Sequence, residues 1–289
     1  MGRATSLRYV ENISKIWFIT GTSRGFGRVW AEAALRRGDK VVATARDTGS
    51  LSDLVERYGE NVLPIELDVT DKSAVDAAVK QAHEHFGRLD VVVNNAGYGL
   101  FGTIEEVSEE QARAQIETNL VGALWVTKAA LPYLREQGSG HIIQVSSIGG
   151  VHAFPTVGLY HASKWALEGF TQALNAEGHD MGIDVTIVEP GGYATDWGGS
   201  SAVRAERLPA YEETWKKREE MFASASRNRG VPKATGPAIL QVVDAEKPPL
   251  RIFFGAAPLQ MIRPEYAQRI ATWEEWDELS KAAHGSHES

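Results

Sequence analysis

The sequence predicts an α/β fold in which a doubly wound parallel sheet of about seven strands is covered by helices on both faces. Short apolar runs alternate along the 289 residues with longer stretches of helical periodicity. Several of these runs are apolar throughout, which is typical of parallel strands that are buried on both sides. Strands and helices that alternate through right-handed crossovers lead to this architecture.

Each predicted strand is a short run rich in apolar residues. The seven runs lie at Ile16–Thr20, Val41–Ala45, Val62–Leu67, Val91–Val93, His141–Val145, Val185–Val188 and Arg251–Phe254. Helical periodicity predicts helices at Gly25–Arg37, Ser50–Tyr58, Ser73–Phe86, Ser108–Glu136 and Tyr160–Gly178. The first is the clearest, because Phe26, Val29 and Trp30 have helical spacing and Gly38 is a natural helix stop.

No linker divides the chain, so residues 1–289 are predicted to form a single domain. Two segments depart from the regular alternation of predicted strands and helices. Residues 196–233 are polar with scattered aromatic side chains and are predicted to be a lid over a ligand site. Residues 255–289 form a C-terminal extension whose end, Ala282–Ser289, is expected to fray. Within it, Trp273 and Trp276 are interpreted as packing on the core.

Composition narrows the function classes. The chain has 30 Lys and Arg against 38 Asp and Glu, and a net charge of −8 does not attract nucleic acid or an anionic membrane. It has no cysteine, which excludes disulfides and thiolate chemistry and is compatible with a reducing cytosol. No signal core and no run of about 18 apolar residues is present, so we expect a cytoplasmic protein. We expect no metal site, because His83 and His85 do not share a helix face.

A glycine-rich turn follows the first strand and opens the first helix. Gly21, Gly25 and Gly27 are placed for a sharp turn, a close approach of backbone to a pyrophosphate and tight packing of the helix on the sheet. The helix N-terminus then directs its free N–H groups at the phosphates. The turn therefore predicts a dinucleotide site, with a tight turn that binds no ligand as the alternative. The other turn residues predicted to contact the dinucleotide are Ser23, Arg24 and Phe26.

The same turn also fits the pattern of a serine hydrolase. Gly21-Thr22-Ser23-Arg24-Gly25 matches Gly-x-Ser-x-Gly, which would make Ser23 a nucleophile. Only about twenty residues precede Ser23, too few for the upstream strands that supply an oxyanion hole. Gly27 also has no role in this alternative, so the dinucleotide site is favoured.

The end of the second strand favours NADP(H) over NAD(H). An NAD site places a carboxylate about twenty residues past the glycines, on the ribose 2′-hydroxyl. Here the strand ends in Ala45 and is followed by Arg46. A cation at this point accepts a 2′-phosphate, and Arg24 is placed to close the other side. The alternative is that both arginines are simply solvated.

Tyr160 and Lys164 begin an apolar helix and lie one turn apart on the same face. A tyrosine with a pKa of about 10 is a poor acid or base at neutral pH. A neighbouring ammonium stabilises the phenolate and lowers that pKa. This spacing alone is common, and its meaning depends on the motifs around it.

Further motifs follow successive strands from about Lys15 to Asp196. They are Leu67-Asp68-Val69, Asn94-Asn95-Ala96-Gly97, Asn119 in the long helix, Ser146-Ser147, and Pro190-Gly191 with Thr195. In their order and spacing, including thirteen residues from Ser147 to Tyr160, the sequence resembles the short-chain dehydrogenase/reductase family. The resemblance implies a single-domain Rossmann-like fold and hydride transfer between a nicotinamide and a carbonyl or alcohol carbon.

The resemblance also implies the roles of individual residues. Tyr160 is the general acid/base, Ser147 binds the same substrate oxygen, Lys164 binds the nicotinamide ribose and lowers the tyrosine pKa, and Asn119 holds a water in the proton relay. Further cofactor contacts are implied for Asp68, Val69, Asn95, Ala96, Gly97, Pro190, Gly191 and Thr195. Taken singly, Ser147 or Asp68 could cap a helix and Asn119 could be a core amide. A non-catalytic protein that senses NADP(H) is the alternative function.

The substrate site is predicted to have a largely apolar wall. Its members are Leu100, Phe101, Val151, Phe154, Tyr193 and Trp197. We expect a hydrophobic carbonyl or alcohol as substrate. The stretches Tyr98–Gly102 and Lys164–Gly169 are most similar to the 17β-hydroxysteroid and retinol dehydrogenase-like branch. His152 and His161 lie near this wall. The family usually pairs through its two long helices, which implies a homodimer, with a tetramer left open by the long C-terminal extension.

Overall fold

A computed structural model describes residues 14–225 and 228–285. Seven parallel strands form the main sheet in the order β3-β2-β1-β4-β6-β7-β9. They are β1 (Ile16–Ile19), β2 (Lys40–Ala45), β3 (Val62–Glu66), β4 (Val91–Asn94), β6 (Gly140–Val145), β7 (Ile183–Pro190) and β9 (Arg251–Phe254). The predicted fold class and all seven predicted strands are confirmed.

A second, two-stranded parallel sheet was not predicted. It pairs β5 (Leu100–Phe101) with β8 (Val203–Arg204). Two residues are too few to establish a period, and the partner strand lies about a hundred residues away. This small sheet connects the loop after β4 to the predicted lid segment, residues 196–233.

Helices cover both faces of the main sheet. They are α1 (Gly25–Arg37), α2 (Ser52–Tyr58), α3 (Lys72–Phe86), α4 (Glu109–Ile116), α5 (Gly122–Gln137), α6 (Gly158–Gly178), α7 (Glu212–Ala225), α8 (Thr235–Asp244), α9 (Pro258–Glu275) and α10 (Asp277–His284). The predicted helix Ser108–Glu136 is divided into α4 and α5 by a π-helical turn at Glu117–Val121. Such a turn widens the helix locally and is often found at functional sites.

One expectation for the C-terminal extension is wrong and another stays a prediction. The chain is helical through His284, and residues 286–289 lie outside the described residues, so fraying of Ala282–Ser289 stays a prediction. Trp273 and Trp276 are 66% and 58% exposed, so neither packs on the core. Instead, α9 contacts the wall of the site through Ile262.

The core has two layers, one on each face of the sheet. Trp17 and Phe18 are neighbours on β1, and their side chains point to opposite faces because strand side chains alternate. Trp17 packs with Trp30 of α1, whereas Phe18 packs with Val126 of α5. Burial on both faces is the physical reason that the strands are continuously apolar.

The described part of the chain lacks a membrane-spanning helix and a metal-binding cluster. None of its helices is both long enough and apolar enough to cross a membrane. Residues 14–225 and 228–285 also contain no group of three His, Asp or Glu side chains placed to hold a metal ion.

His141 on β6 is expected to make stability fall with acid. Its Nε2 lies 2.9 Å from Thr186 Oγ1, and burial lowers its pKa from 6.5 to about 4, with the charge of Lys15 contributing. The unfolded chain therefore takes up a proton below about pH 6.5, which the folded chain binds only near pH 4. Across this window we expect His141 to remove about 3 kcal/mol from the free energy of unfolding.

Urea unfolding of the wild type and of His141→Gln, at neutral pH and near pH 4, measures this contribution. The stability of His141→Gln should fall less over that window. His85→Gln removes an exposed histidine from α3 and should behave as the wild type does. An equal loss of stability in all three proteins would contradict the prediction.

Candidate active site

The glycine turn lies at the carboxyl end of β1, where the strand order reverses between β1 and β4. In open α/β sheets, ligands bind at such a switch point. Gly21 and Gly25 have φ angles of 71° and 63°, which favour glycine. A Cβ at Gly27 would lie 2.5 Å from Asn95 Nδ2 and closer still to the Gly21 carbonyl oxygen. All three glycines are therefore required by the turn itself, and the open backbone fits a pyrophosphate.

Asn95 braces this turn from the neighbouring strand. Its side-chain amide donates to the carbonyl oxygens of Thr20 and Gly21, both at 2.9 Å. Thr20 Oγ1 in turn accepts the backbone N–H groups of Asn95 and Ala96, again at 2.9 Å. Asn95 is one of the residues predicted to contact the cofactor. Its side-chain amide donors are occupied by bonds within the protein, and these bonds hold the turn in its conformation.

Two side chains near the ends of β2 and β3 are free to meet a ligand. Arg46 is exposed, and in the described ranges no carboxylate or hydrogen-bond acceptor engages it. Asp68 is exposed and uses one oxygen, Oδ1, to accept from Thr70. The alternative that Asp68 caps the next helix is wrong, because Asp71 accepts the N–H groups of Ser73 and Ala74. Val69 is buried against Gly122 of α5.

Arg24 has a partner that the sequence analysis did not foresee. Its Nη1 donates to Asp196 Oδ2 at 2.7 Å and to Ser200 Oγ at 3.2 Å. Hydrogen bonds from Ser200, together with the charge of Arg24, lower the pKa of Asp196 to about 2. The pair joins the glycine turn to the predicted lid segment, and Asp196 competes with any anion for this guanidinium.

Tyr160, Lys164 and Ser147 converge at the carboxyl end of β6. The Lys164 Nζ atom lies 5.9 Å from the centroid of the Tyr160 ring and donates to the Val145 carbonyl oxygen at 2.8 Å. Ser147 hydrogen-bonds the Tyr160 hydroxyl and accepts the Gly149 N–H at 3.0 Å. The three predicted catalytic side chains are therefore neighbours, although Ser147 and Tyr160 lie on different elements.

Burial dominates the electrostatics of this group. It raises the pKa of Tyr160 to about 12, against the opposing hydrogen bond from Ser147. It lowers the pKa of Lys164 to about 8, against the attraction of Glu168. In the protein alone, removing a phenolate from water dominates. The expectation that Lys164, together with the charge of an oxidised nicotinamide, lowers the Tyr160 pKa stays a prediction. The phenol is protonated at neutral pH, which is the state that can donate a proton.

Asn119 lies in the π-helical turn and is 1% exposed. Its Oδ1 accepts the Tyr98 N–H, and its Nδ2 donates to the Tyr98 carbonyl oxygen, both at 3.0 Å. Nδ2 also lies 3.2 Å from Ser163 Oγ, on the helix that carries Tyr160. A Cβ at Gly97 would lie 3.0 Å from Asn119 Oδ1. The side chain thus ties three elements together, and the expectation that Asn119 holds a water stays a prediction.

An aromatic wall stands over Tyr160. The Trp197 ring lies 4.9 Å from the Tyr160 ring and 5.1 Å from the Phe101 ring, and Phe154 packs against the same cluster. A Cβ at Gly99 would lie 2.6 Å from the Trp197 ring, so glycine is needed there. Phe101, Phe154 and Trp197, three of the predicted wall residues, therefore pack together.

Other predicted wall residues lie elsewhere. Tyr193 packs edge-on against Phe26, with ring centroids 5.0 Å apart, beside the glycine turn. Val151 packs with Ile148 and Ile262 in an adjoining cluster that Phe154 also contacts. Tyr193 is therefore a neighbour of the turn and not of the Tyr160 ring.

His161 is held by the loop beside the wall. Its Nδ1 lies 2.9 Å from the Gly149 carbonyl oxygen, and its Nε2 accepts the Phe154 N–H at 2.9 Å. Nδ1 is therefore the protonated nitrogen, and both ring nitrogens are occupied. Burial lowers the pKa of His161, which agrees with a neutral ring. His152 is paired with Glu265 of α9.

Pro190 and Gly191 end β7 beside α9. The Gly191 N–H donates to the Phe254 carbonyl oxygen at 2.8 Å, and a Cβ at Gly191 would lie 2.8 Å from Pro258 Cγ. Thr195 follows with its hydroxyl without a hydrogen-bond partner among the described residues. This segment leads directly from the sheet into the predicted lid.

Sequence reasoning missed three residues that shape the site. Thr20 anchors Asn95, Ser163 bonds Asn119, and Asp196 pairs with Arg24. The only available signal was position, since each lies next to a recognised motif residue. Their partners are 44 to 172 residues away in the chain, and local periodicity carries no information about such contacts.

The family model described as short chain dehydrogenase matches residues 15–204. The chain belongs to the short-chain dehydrogenase/reductase family. It is thus an oxidoreductase that acts on CH–OH groups with NAD or NADP, and the hydrolase alternative is wrong. Consistent with this, no histidine or carboxylate in the described ranges hydrogen-bonds Ser23.

Similar members of the short-chain dehydrogenase/reductase family span nearly the whole chain. Oxidoreductase BOA17 of Botryotinia fuckeliana is 43% identical over 94% of this chain and 100% of its own. A short-chain dehydrogenase structure from Streptomyces avermitilis has a TM-score of 0.87 and 37% identity, covering 93% of this chain and 100% of that one. A short chain dehydrogenase from Burkholderia cenocepacia, solved in complex with NADP, has a TM-score of 0.72 and 26% identity, covering 91% and 97%.

Proposed function

We propose that this short-chain dehydrogenase/reductase uses NADP(H) in preference to NAD(H) and interconverts a hydrophobic ketone or aldehyde with its alcohol. The observation that carries the proposal is the Tyr160 phenol, which is protonated, hydrogen-bonded to Ser147 and covered by an aromatic wall. Such a phenol can donate a proton to a carbonyl oxygen in a site from which water is excluded.

The residues of this site divide the work of reduction. Bound NADPH supplies the hydride, and the protein supplies binding and orientation. Tyr160 donates its hydroxyl proton to the carbonyl oxygen, and in the oxidation direction it takes that proton back. Ser147 donates a hydrogen bond to the same oxygen while negative charge develops there. Tyr160 hydrogen-bonds Ser147, so both hydroxyls can reach one substrate atom.

Lys164 and Asn119 support the proton transfer. With its pKa near 8, Lys164 is a cation at neutral pH and stabilises negative charge on Tyr160 after donation. Asn119 holds the backbone of Tyr98 and contacts the helix of Tyr160. Because its side chain is occupied, we propose that its main-chain carbonyl, in the π-helical turn, holds the relay water.

The cofactor preference rests on the end of β2. Arg46 is a free, exposed cation there, and Ala45 leaves no carboxylate to repel a 2′-phosphate. The NADP complex of the Burkholderia relative supports the same choice. Bound NADP(H) would be held by the glycine turn, by Arg46, by Asp68 at the adenine end and by Thr195 at the nicotinamide end. We propose that its phosphate competes with Asp196 for Arg24.

The substrate class rests on the wall formed by Phe101, Phe154 and Trp197. Apolar rings over the proton donor favour a hydrophobic carbonyl compound over a sugar. A 17β-hydroxysteroid or retinol-like substrate and a homodimer paired through α5 and α6 remain predictions of the family resemblance. The role of residues 196–233 as a lid also remains a prediction.

An assay with the purified protein tests the proposed function. NADPH and NADH are each supplied with a panel of apolar ketones and aldehydes, and loss of the reduced nicotinamide absorbance is followed. We expect consumption of NADPH with at least one carbonyl compound, faster than that of NADH. A protein that binds NADPH in calorimetry but turns over none of the panel would instead be the non-catalytic sensor.

Replacing Arg46 by alanine should change cofactor choice. The charge-assisted hydrogen bonds to a 2′-phosphate are expected to contribute about 1.5–3 kcal/mol, so NADPH affinity should fall about 10- to 100-fold. NADH lacks that phosphate, and its affinity should stay near the wild-type value. Calorimetric titration of both cofactors measures the difference. Arg57→Ala removes an exposed arginine from α2 and serves as the matched control. Equal losses for NADPH and NADH would contradict the assignment of Arg46.

A further inference from the structure

A cavity of about 270 Å³ lies behind the aromatic wall and is lined mainly by the predicted lid segment. Its apolar sides are the rings of Phe101 and Phe222. Its polar side carries three arginines, Arg204, Arg207 and Arg218, and one carboxylate, Glu219. The cavity does not contain Tyr160, Ser147 or Lys164, so it is distinct from the site of proton transfer.

Arg218 of α7 is the central cation of this cavity. Its guanidinium lies 4.7 Å from the ring centroids of both Phe101 and Phe222, and 5.6 Å from that of Trp215. These distances are within the range of cation–π attraction. No acceptor among residues 14–225 and 228–285 hydrogen-bonds the N–H donors of Arg218.

The neighbouring arginines repel Arg218, which makes this arrangement electrostatically unfavourable in the protein without a ligand. Burial, and then the like charges of Arg204 and Arg207, lower the pKa of Arg218 to about 10. Arg207 is paired with Glu219 at 2.7 Å. Arg204 donates to the carbonyl oxygens of Gly198 and Gly199 and has no carboxylate partner in the part of the chain that the structure describes. An anion between Arg204 and Arg218 would relieve this repulsion.

We propose that this cavity binds the carboxylate of a small apolar organic acid, with Arg218 as the residue that receives the carboxylate. The planar fork of a guanidinium matches the two oxygens of a carboxylate. The rings of Phe101 and Phe222 provide an apolar surface for the body of the acid, which a hydrated inorganic anion does not need. The volume suits a small molecule and not a peptide or a nucleic acid.

The cavity and the proposed active site share one wall. Arg218 contacts Phe101 at 4.7 Å, Phe101 contacts Trp197 at 5.1 Å, and Trp197 contacts Tyr160 at 4.9 Å. The carboxylate could therefore belong to the far end of the substrate or to a separate ligand that stabilises the wall. Both sources share the same chemistry, and kinetics distinguish them.

Binding is tested with benzoate on the full-length protein, in a buffer without carboxylate or phosphate. Calorimetry should show saturable binding of benzoate, and benzamide, which is uncharged but of the same shape, should bind at least about tenfold more weakly. Arg218→Gln should weaken benzoate binding at least about tenfold. Lys217→Gln removes the same charge from the next position of α7, outside the cavity, and should bind benzoate as the wild type does.

Arg204→Gln, at an exposed position, keeps the test valid if Arg218→Gln does not fold, and it should also weaken benzoate binding. The proposal is overturned if benzoate does not bind saturably, if benzamide binds equally well, or if both arginine variants retain wild-type affinity. None of these results depends on turnover, so they do not bear on the proposed function.

Kinetics with a keto acid and its methyl ester identify the source of the carboxylate, and only this arm rests on the proposed function. If the carboxylate belongs to the substrate, Arg218→Gln lowers kcat/KM for the acid at least about tenfold and leaves that for the ester near the wild-type value. If it belongs to a separate ligand, the variant loses benzoate binding, and kcat/KM for acid and ester change equally.

Discussion

Tyr160→Phe is expected to lower kcat on the order of 10³-fold while leaving NADPH affinity nearly unchanged. The substitution removes only the hydroxyl that we propose as the proton donor, and the ring that packs against Trp197 is retained. Because the hydroxyl is buried and hydrogen-bonded to Ser147, no exposed group can readily replace it. Single-turnover measurement of NADPH oxidation, with calorimetric titration of NADPH, separates the loss of chemistry from a loss of binding.

The control for this variant is Tyr58→Phe, which removes a tyrosine hydroxyl from α2, far along the chain from the site. It should keep the wild-type rate, and circular dichroism should show that both variants are folded. If Tyr160→Phe retained more than about a tenth of the wild-type kcat, Tyr160 would not be the general acid.

Gly27→Ala is expected to have the second large effect, by closing the cofactor cradle. The new Cβ would lie 2.5 Å from Asn95 Nδ2 and against the Gly21 carbonyl oxygen, which are both parts of the same braced turn. The Gly21 carbonyl is part of the backbone, and the Asn95 amide is held by its hydrogen bonds to Thr20 and Gly21, so the backbone must move. We expect NADPH affinity to fall on the order of 100-fold, equivalent to about 3 kcal/mol. Overpacking should also lower the free energy of unfolding by about 1–3 kcal/mol.

Gly169→Ala is a matched control on α6, because a Cβ there has no neighbour within 4 Å. In a helix this change should leave stability unaltered or raise it by about 0.4–1 kcal/mol. Calorimetry with NADPH and urea unfolding report binding and stability separately. Wild-type NADPH affinity in Gly27→Ala would show that the turn can relax, and that the cradle is wider than the contacts imply.

The chemistry of the site was more accessible to sequence reasoning than its electrostatics. The spacing of Tyr160 and Lys164 correctly indicates that they share a helix face, because that geometry depends only on the period of a helix. Their pKa values depend on how much water the rest of the fold excludes. Burial raises the pKa of Tyr160 to about 12 and lowers that of Lys164 to about 8, and no local pattern predicts either shift.

In the C-terminal part of the chain, local sequence patterns likewise failed to predict how side chains pack. Trp273 and Trp276 have helical spacing and do lie in a helical segment, but both are exposed. Hydrophobic spacing identifies a helix, whereas the partner of its apolar face depends on elements elsewhere in the chain. By contrast, the strand Arg251–Phe254 was predicted with its observed bounds, because a short apolar run is by itself a local signal for a strand.

By itself, the sequence determined the fold class, the seven strands, the glycine turn and the order of the family motifs. Each of these depends on periodicity or on residue type at short range, which a sequence displays directly. Only the tertiary structure decided that β5 pairs with β8, that Asp196 engages Arg24, and that Arg218 lies unpaired behind the wall. These contacts join residues about one hundred or more positions apart, and they form because folding excludes water and brings distant side chains together.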